Sequence, residues 1–424
     1  MDTLLDAIEI FIPGDWGNEE YSQDAPNEVI CIRGADIENV KCGIYQNIPI
    51  RYVSNTSFNK KTLESGDIII EKSGGSPTQS TGRVCYISDE LIDSKKNVVC
   101  SNFCAAFRMK SKWYYKYIYY YLHNIYSQGN FFNYEGKTSG IRNLLLETAF
   151  QAITLPDIIT DVQKRTVKIL DKIDQKINLN TRMNAELEAM AKQLYDYWFI
   201  QFDFPDENGK PYKSSGGKMI YNEKLKREIP EGWEVETLGS ILSFSNGINY
   251  EKGIEGDKKY RIINVRNITS STTFINKSDL DIITLPSSLA EKYLISEDDI
   301  IIARSGTPGS TRLIDKPNDI IYCGFIIKGT PRHKHSKYFL MHYLKQLEGT
   351  DATKTGGSIL QNVSQDTLSS LLTVVPQDNK LQQFNRIIES LYSLLNCYQT
   401  QTNKLIHLRD SLLPMLMNGQ VIVE

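Results

Sequence analysis

The chain lacks any run of apolar residues approaching the ~20 needed to cross a bilayer. Residues 1–10 carry neither the basic nor the apolar region of a signal peptide, so a soluble cytoplasmic protein is expected. Cysteine is sparse: seven in 424 residues, an odd number with no C-x-x-C pair. That fits a reducing compartment better than a disulfide framework or a zinc site. Five scattered histidines form no H-E-x-x-H, so no metal and no cofactor are expected. No Pro-Pro dipeptide occurs, which removes the Asn/Asp-Pro-Pro-aromatic motif that a DNA methyltransferase requires. The phosphate-binding string G-x-x-x-x-G-K-[ST] is also absent. A nuclease string P-D…D-x-K is formally present as Pro156, Asp157, Asp174 and Lys176, but its second half falls on a helical pattern rather than a strand.

What is present is repetition, which has to be settled before motifs are read. Gly66-Asp67-Ile68-Ile69-Ile70 with Ser73 returns as Asp298-Asp299-Ile300-Ile301-Ile302 with Ser305, 232 positions later. Gly14 answers Gly247, and 32–37 answers 265–268 when Arg33 is aligned on Arg266 at an offset of 233. Further on, 138–144 answers 357–363 at an offset of 219. Each copy then reaches a proline, Pro156 or Pro376, and enters a helical pattern. A duplicated α/β (α+β) unit suggests two-handed binding rather than one catalytic centre, and the chain is expected to be no enzyme.

The net charge of −3 argues mildly against nucleic acid, but distribution outweighs the sum. Residues 95–130 hold six bases (Lys95, Lys96, Arg108, Lys110, Lys112, Lys116) and no acid; 328–347 hold Lys328, Arg332, Lys334, Lys337 and Lys345 and no acid. Solvated surface lysine explains either cluster alone; their recurrence favours a binding face. Phosphate contacts are expected from loops that follow the apolar strand runs: Lys72, Ser73, Gly74 and Arg83 in copy one, and Arg304, Ser305, Thr307 and Arg312 in copy two. An ordinary strand-to-loop turn is the competing reading. Base reading is expected from Lys137, Thr138, Ser139, Arg142 and Asn143, and from Lys354, Thr355, Ser358, Gln361 and Asn362, because Arg can fork to guanine and Asn or Gln to adenine. Asn143 and Asn362 match across the copies, which favours a structural cap for both. The aromatic run 113–122 could stack on bases, but a packing helix accounts for it better, as for its counterpart 338–344.

A 4-3 spacing follows each copy. The first seam reads Thr166, Leu170, Ile173, Ile177, Asn180, Asn184, Leu187, Ala191, Leu194, Trp198. The second reads Phe384, Ile388, Leu391, Leu395, Tyr398, Thr402, Leu405, Arg409, Leu412, Leu416. Each predicts a helix of about 33 residues, roughly 50 Å long. Ile173, Ile177, Leu187, Leu194, Leu391, Leu395, Leu405 and Leu412 are the expected seam and partner-binding residues. Ile169, Met183 and Met190 lie one step off the seam and widen it. The simplest packing is an antiparallel pair; two unrelated amphipathic helices are the alternative. A coiled-coil scaffold without DNA would explain the helices but not the basic copies.

The junction carries a family resemblance. Residues 180–198 (NTRMNAELEAMAKQLYDYW), 199–205 (FIQFDFP), 209–217 (GKPYKSSGG) and 227–233 (REIPEGW), with 408–419 (LRDSLLPMLMNG), resemble the specificity subunit of type I restriction–modification systems. The resemblance covers essentially the whole chain. It implies two target recognition domains separated by an antiparallel pair of long coiled-coil helices. Each domain would read half of a bipartite double-stranded DNA site. Two methyltransferase subunits and restriction/translocase subunits would dock on the chain and do the chemistry. The expected limits are 1–156 for recognition domain 1, 157–204 for spacer helix 1, 205–230 for a linker, 231–376 for recognition domain 2 and 377–424 for spacer helix 2. Copy two opens with Trp233-Glu234-Val235, a lead-in that copy one lacks. Copy one is therefore expected to be clipped at its edge or completed by the C-terminal end folding back.

Overall fold

The computed structural model describes residues 2–76, 79–95, 97–138, 141–250, 255–350 and 362–421. The chain divides into two units, Met1–Thr181 with Gln401–Glu424, and Arg182–Thr400.

The duplication is real at the level of topology. In the first unit an antiparallel sheet runs in the order Ile8–Pro13, Cys104–Met109, Ile68–Glu71, Val84–Tyr86. In the second, Leu242–Asn246, Ile326–Pro331, Ile300–Ala303 and Thr311–Arg312 repeat that order and sense. A three-stranded sheet accompanies each. Asn27–Ile32 lies between antiparallel Ile50–Val53 and parallel Val98–Cys100, and Lys258–Ile263 lies between antiparallel Asp281–Leu285 and parallel Ile320–Tyr322. The triple-isoleucine strands are buried along their whole length, as an unbroken apolar run demands.

The alignment of Arg33 on Arg266 is corrected by the structure. The flanking strands end at Ile32 and Ile263, so Arg33 corresponds to Asn264. The matched feature is a local cap: the Arg33 N–H donates to Asp36 Oδ2 (2.9 Å), and the Asn264 N–H donates to Asn267 Oδ1 (2.8 Å). Backbone sterics fix Gly14 and Gly247. A Cβ would fall 2.0 Å from the Ser101 carbonyl oxygen in one copy and 2.1 Å from that of Cys323 in the other.

The repeated aspartate has a structural task. Asp67 and Asp299 are buried at the foot of the central strands. Each accepts the backbone N–H three residues upstream, from Glu64 or Ser296, at 2.7 Å. Arg108 forks onto Asp67 at 2.8 and 3.0 Å, while Lys328 lies 3.4 Å from Asp299 and Thr330 donates to it. The aromatic run folds as the packing helix Tyr115–Ser127, with Tyr117, Ile118, Tyr119, Tyr120 and Leu122 in the core. Its counterpart is Lys337–Gln346.

The two long helices span Thr160–Tyr195 and Asp378–Met417. Every seam position in both is buried or half-buried. Within the first unit Asp174 meets Arg409 (3.1 Å) and Asn180 meets Gln401 (3.5 Å), so one helix advances while the other retreats and the pair is antiparallel. The C-terminal end of the second helix places Leu413, Leu416 and Met417 in the first unit's core beside Leu4 and Ala7. The second unit's core takes Trp198 and Phe199 from the end of the first helix in the same way. At the edge, where the second unit pairs Glu234–Thr237 with Leu372–Val375, the first retains one bridge, Thr3 with Thr154. The stretch expected as a linker contains a hairpin, Met219–Asn222 with Arg227–Pro230, and Phe202, Phe204, Ile229 and Trp233 belong to the second unit's core.

Replacing Asp67 with Ala strips the turn and Arg108 of a buried acceptor. We expect a loss of about 3 kcal/mol, the low end for breaking a buried ion pair. Amide exchange should accelerate in 64–109 while the second unit keeps its protection.

Candidate nucleic-acid interface

In each unit the central strand runs out into the loop that the sequence singles out. In the first unit, Ser73–Gly74 pairs antiparallel with Asn143 and Arg142, and the strand Ile141–Leu144 pairs in turn with Glu135–Thr138. Candidate phosphate contacts and candidate base readers therefore share one small sheet. The Leu144 N–H donates to the Lys72 carbonyl (2.8 Å), and the Val363 N–H donates to the Arg304 carbonyl (2.9 Å). The same backbone bond thus joins the same two segments in both units, at offsets of 232 and 219. Ser73 Oγ donates to Asn143 Oδ1 (2.5 Å), which gives Asn143 a structural partner.

The cations divide sharply. Arg83 forks onto the buried Glu71 at 2.9 and 2.6 Å, and this hydrogen bonding holds its guanidinium above its usual pKa. Arg142 Nη1 binds the Glu135 carboxylate (2.7 Å), which also accepts from Thr81, and its guanidinium lies over the Phe132 ring. Arg312 is 8% exposed and donates to Ser271 O (2.6 Å), Thr311 O (2.7 Å) and Glu348 Oε1 (2.8 Å). All three arginines brace the fold. Lys72 and Arg304, at equivalent positions and half-buried, have no carboxylate partner among the described residues. Thr307 Oγ1 lies 3.3 Å from Thr269 Oγ1, and Ser305 precedes Gly306, whose φ of +77° favours glycine. Lys137 and Thr138 lie in a strand, and Asn362 is exposed beside Val363. Ser139, Lys354, Thr355, Ser358 and Gln361 lie outside the described residues.

Several bases of the recurrent basic segments have structural partners. Lys116 pairs with Asp171 (2.7 Å), Arg108 with Asp67, and Lys328 with Asp299. Lys345 donates to Thr272 O and Thr273 Oγ1, both at 3.0 Å, and Lys337 donates to the Glu297 carbonyl. Burial lowers the pKa of Lys337 and Lys345, so neither is a free surface charge. Asp174, half of the formal nuclease string, lies on the first long helix and binds Tyr120 Oη (2.7 Å) and Arg409. Of the seam residues, Ile173, Ile177, Leu187 and Leu395 are buried and Leu194, Leu391, Leu405 and Leu412 half-buried. The outward apolar side chains of the two helices are Ile169, Leu179, Met183, Met190, Ile387, Leu394 and Leu408.

Sequence reading missed the loops 101–103 and 323–325. The carbonyl of Phe103 accepts the N–H groups of Lys72 (2.8 Å) and Ser73 (3.0 Å); that of Phe325 accepts the Arg304 N–H (2.9 Å). The available signal was an aromatic recurring at an offset of 222. Among the described residues no group of His, Cys, Asp and Glu could hold a metal ion, and no helix is long and apolar enough to cross a membrane.

The model of the type I restriction modification DNA specificity domain matches residues 31–189 and 230–407. The chain belongs to this family. It is 24% identical over 283 residues to the type I restriction enzyme MjaIX specificity subunit of Methanocaldococcus jannaschii, spanning 65% of this chain and 62% of that one. It is 22% identical over 331 residues to the HindI specificity subunit of Haemophilus influenzae, spanning 64% and 69%. The crystal structure of a type I restriction–modification S subunit from M. genitalium shares the fold, with a TM-score of 0.53 at 14% identity, covering 98% of this chain and 95% of that one. Specificity subunits are non-catalytic chains. The specificity-domain match falls once in each half, in step with the repeated topology.

Truncating Arg142 to Ala would leave the Glu135 carboxylate, 4% exposed at its side chain, without its cation. We expect destabilisation of about 3 kcal/mol, measured by denaturant midpoint. The double variant Arg142→Ala, Glu135→Gln should recover part of that loss.

Proposed function

We propose that this chain is the DNA-recognition subunit of a cytoplasmic type I restriction–modification complex. Each unit reads one half of a bipartite double-stranded site. The observation that supports the reading is the matched pair of cations, Lys72 and Arg304, which have no carboxylate partner among the described residues and sit on loops held by the same backbone bond. Phosphate contacts fix register and base contacts carry sequence. In this reading Lys72, Ser73 and Gly74 with Asn143, and Arg304, Ser305 and Thr307 with Asn362, line the two DNA faces. Lys137, Thr138 and Ser139, with Lys354, Thr355, Ser358 and Gln361, supply base-reading side chains. Arg83, Arg142 and Arg312 serve as braces.

The expected limits (recognition domains 1–156 and 231–376, helices 157–204 and 377–424, linker 205–230) describe recognition and spacer roles. Two methyltransferase subunits dock on outward apolar residues of the long helices such as Met183, Met190 and Leu394, and restriction/translocase subunits complete the complex. Methylation and cleavage belong to those partners, so this chain needs no cofactor.

Affinity of the assembled complex for duplex DNA should fall with salt by about 0.9 log units per log of salt for each phosphate neutralised. Lys72→Ala and Arg304→Ala should each reduce that slope by about one contact, uniformly across sequences. A slope near zero in a titration of fluorescent duplex removes the DNA reading.

A further inference from the structure

A single exposed apolar side chain is ordinary, but one exposed at the same place in both copies is a repeated feature. Phe103 is 55% exposed and Phe325 62% exposed. They occupy equivalent positions, each one residue before the strand that pairs with the triple-isoleucine strand. Both loops are braced from two sides. On one side Gly14 or Gly247 approaches the carbonyl of Ser101 or Cys323 so closely that no Cβ fits. On the other the N–H of Lys72 or Arg304 donates to the phenylalanine's own carbonyl. Each phenylalanine is therefore carried on backbone hydrogen-bonded to that of Lys72 or Arg304, the cations with no carboxylate partner among the described residues. In the first unit Phe103 and Asn102 also line a cleft of about 470 Å³ with Trp16 and Arg33.

We infer that Phe103 and Phe325 are specificity-determining residues, making the apolar base contact of their respective half-sites, with the thymine 5-methyl group as the target. This rests on the DNA-recognition reading. The pairing of chemistry supports it: the cation sets the loop on a phosphate, and the ring beside it meets the major-groove edge, where only thymine offers a methyl group. Neither ring fills the core, so the fold does not need them. Neither ring belongs to a hydrophobic core cluster, so core packing does not account for their recurrence.

The test uses the full chain assembled with its methyltransferase subunits. Duplexes are selected from a randomised pool by the wild type, Phe103→Ala and Phe325→Ala, and the enriched motifs are sequenced. The wild type should enrich a two-part motif. Each variant should lose about tenfold of its preference at an A·T pair in one half, a different half for each, with the other half intact. Thermal unfolding midpoints should be unchanged; a clear drop would mean that the rings are structural and would overturn the inference. Unaltered motifs in both variants would also overturn it and leave the DNA-recognition reading standing. A wild type that enriches no motif would instead sink that reading, and the inference with it.

Discussion

A buried carboxylate at the foot of each central strand governs what the loop beyond that strand can do. Asp67 and Asp299 close the preceding turn and draw a cation or hydroxyl from the neighbouring strand. That fixes the register in which the triple-isoleucine strand meets its partner, and so the height at which residues 72–74 and 304–306 emerge. With the strand held, a backbone bond from Leu144 or Val363 brings the second loop alongside the first. A charge that cannot leave the interior is a severe constraint, because moving it strands either the carboxylate or its partner. The most visible repeat in the sequence is therefore a scaffold that sets where the two loops emerge.

This explains what the sequence revealed and what it hid. Repeats and heptads are local or periodic, and the strands, the packing helices and the antiparallel seam follow from them. The roles of the arginines are not local. Arg83 finds Glu71 twelve residues away, and Arg312 finds Glu348 thirty-six residues away. Nothing in spacing marks these carboxylates as partners, so a basic loop residue reads as available when it is already bound. The partner of Lys116 in the first basic segment was hidden for the same reason, since Lys116 and Asp171 are fifty-five residues apart. The shift of Arg33 onto Asn264 was hidden because a backbone cap needs only a side-chain oxygen, which Asp36 and Asn267 supply equally.

The seam carries a related lesson. Its leucines and isoleucines were expected both to pair the helices and to bind partners, yet a buried side chain can do one of these. Ile173, Ile177, Leu187 and Leu395 are spent inside the chain. Asn180 is also fully buried, with Oδ1 unpartnered among the described residues. An apolar residue there would pack better; a buried polar group costs stability and earns register instead. Register matters in an antiparallel pair, because a slip of one turn would carry Arg409 past Asp174.

In the proposed reading, partner binding falls to the residues one step off the seam. Met183, Met190, Leu394 and Leu408 are between 39% and 53% exposed, so they present apolar side chains to solvent. Methionine suits such a face, being unbranched and able to conform to a partner helix. The two apolar tasks of these helices thus separate by a single position in the heptad. The inner row is fixed by the fold, while the outer row, which the proposed reading gives to the partner, can change and leave the seam untouched.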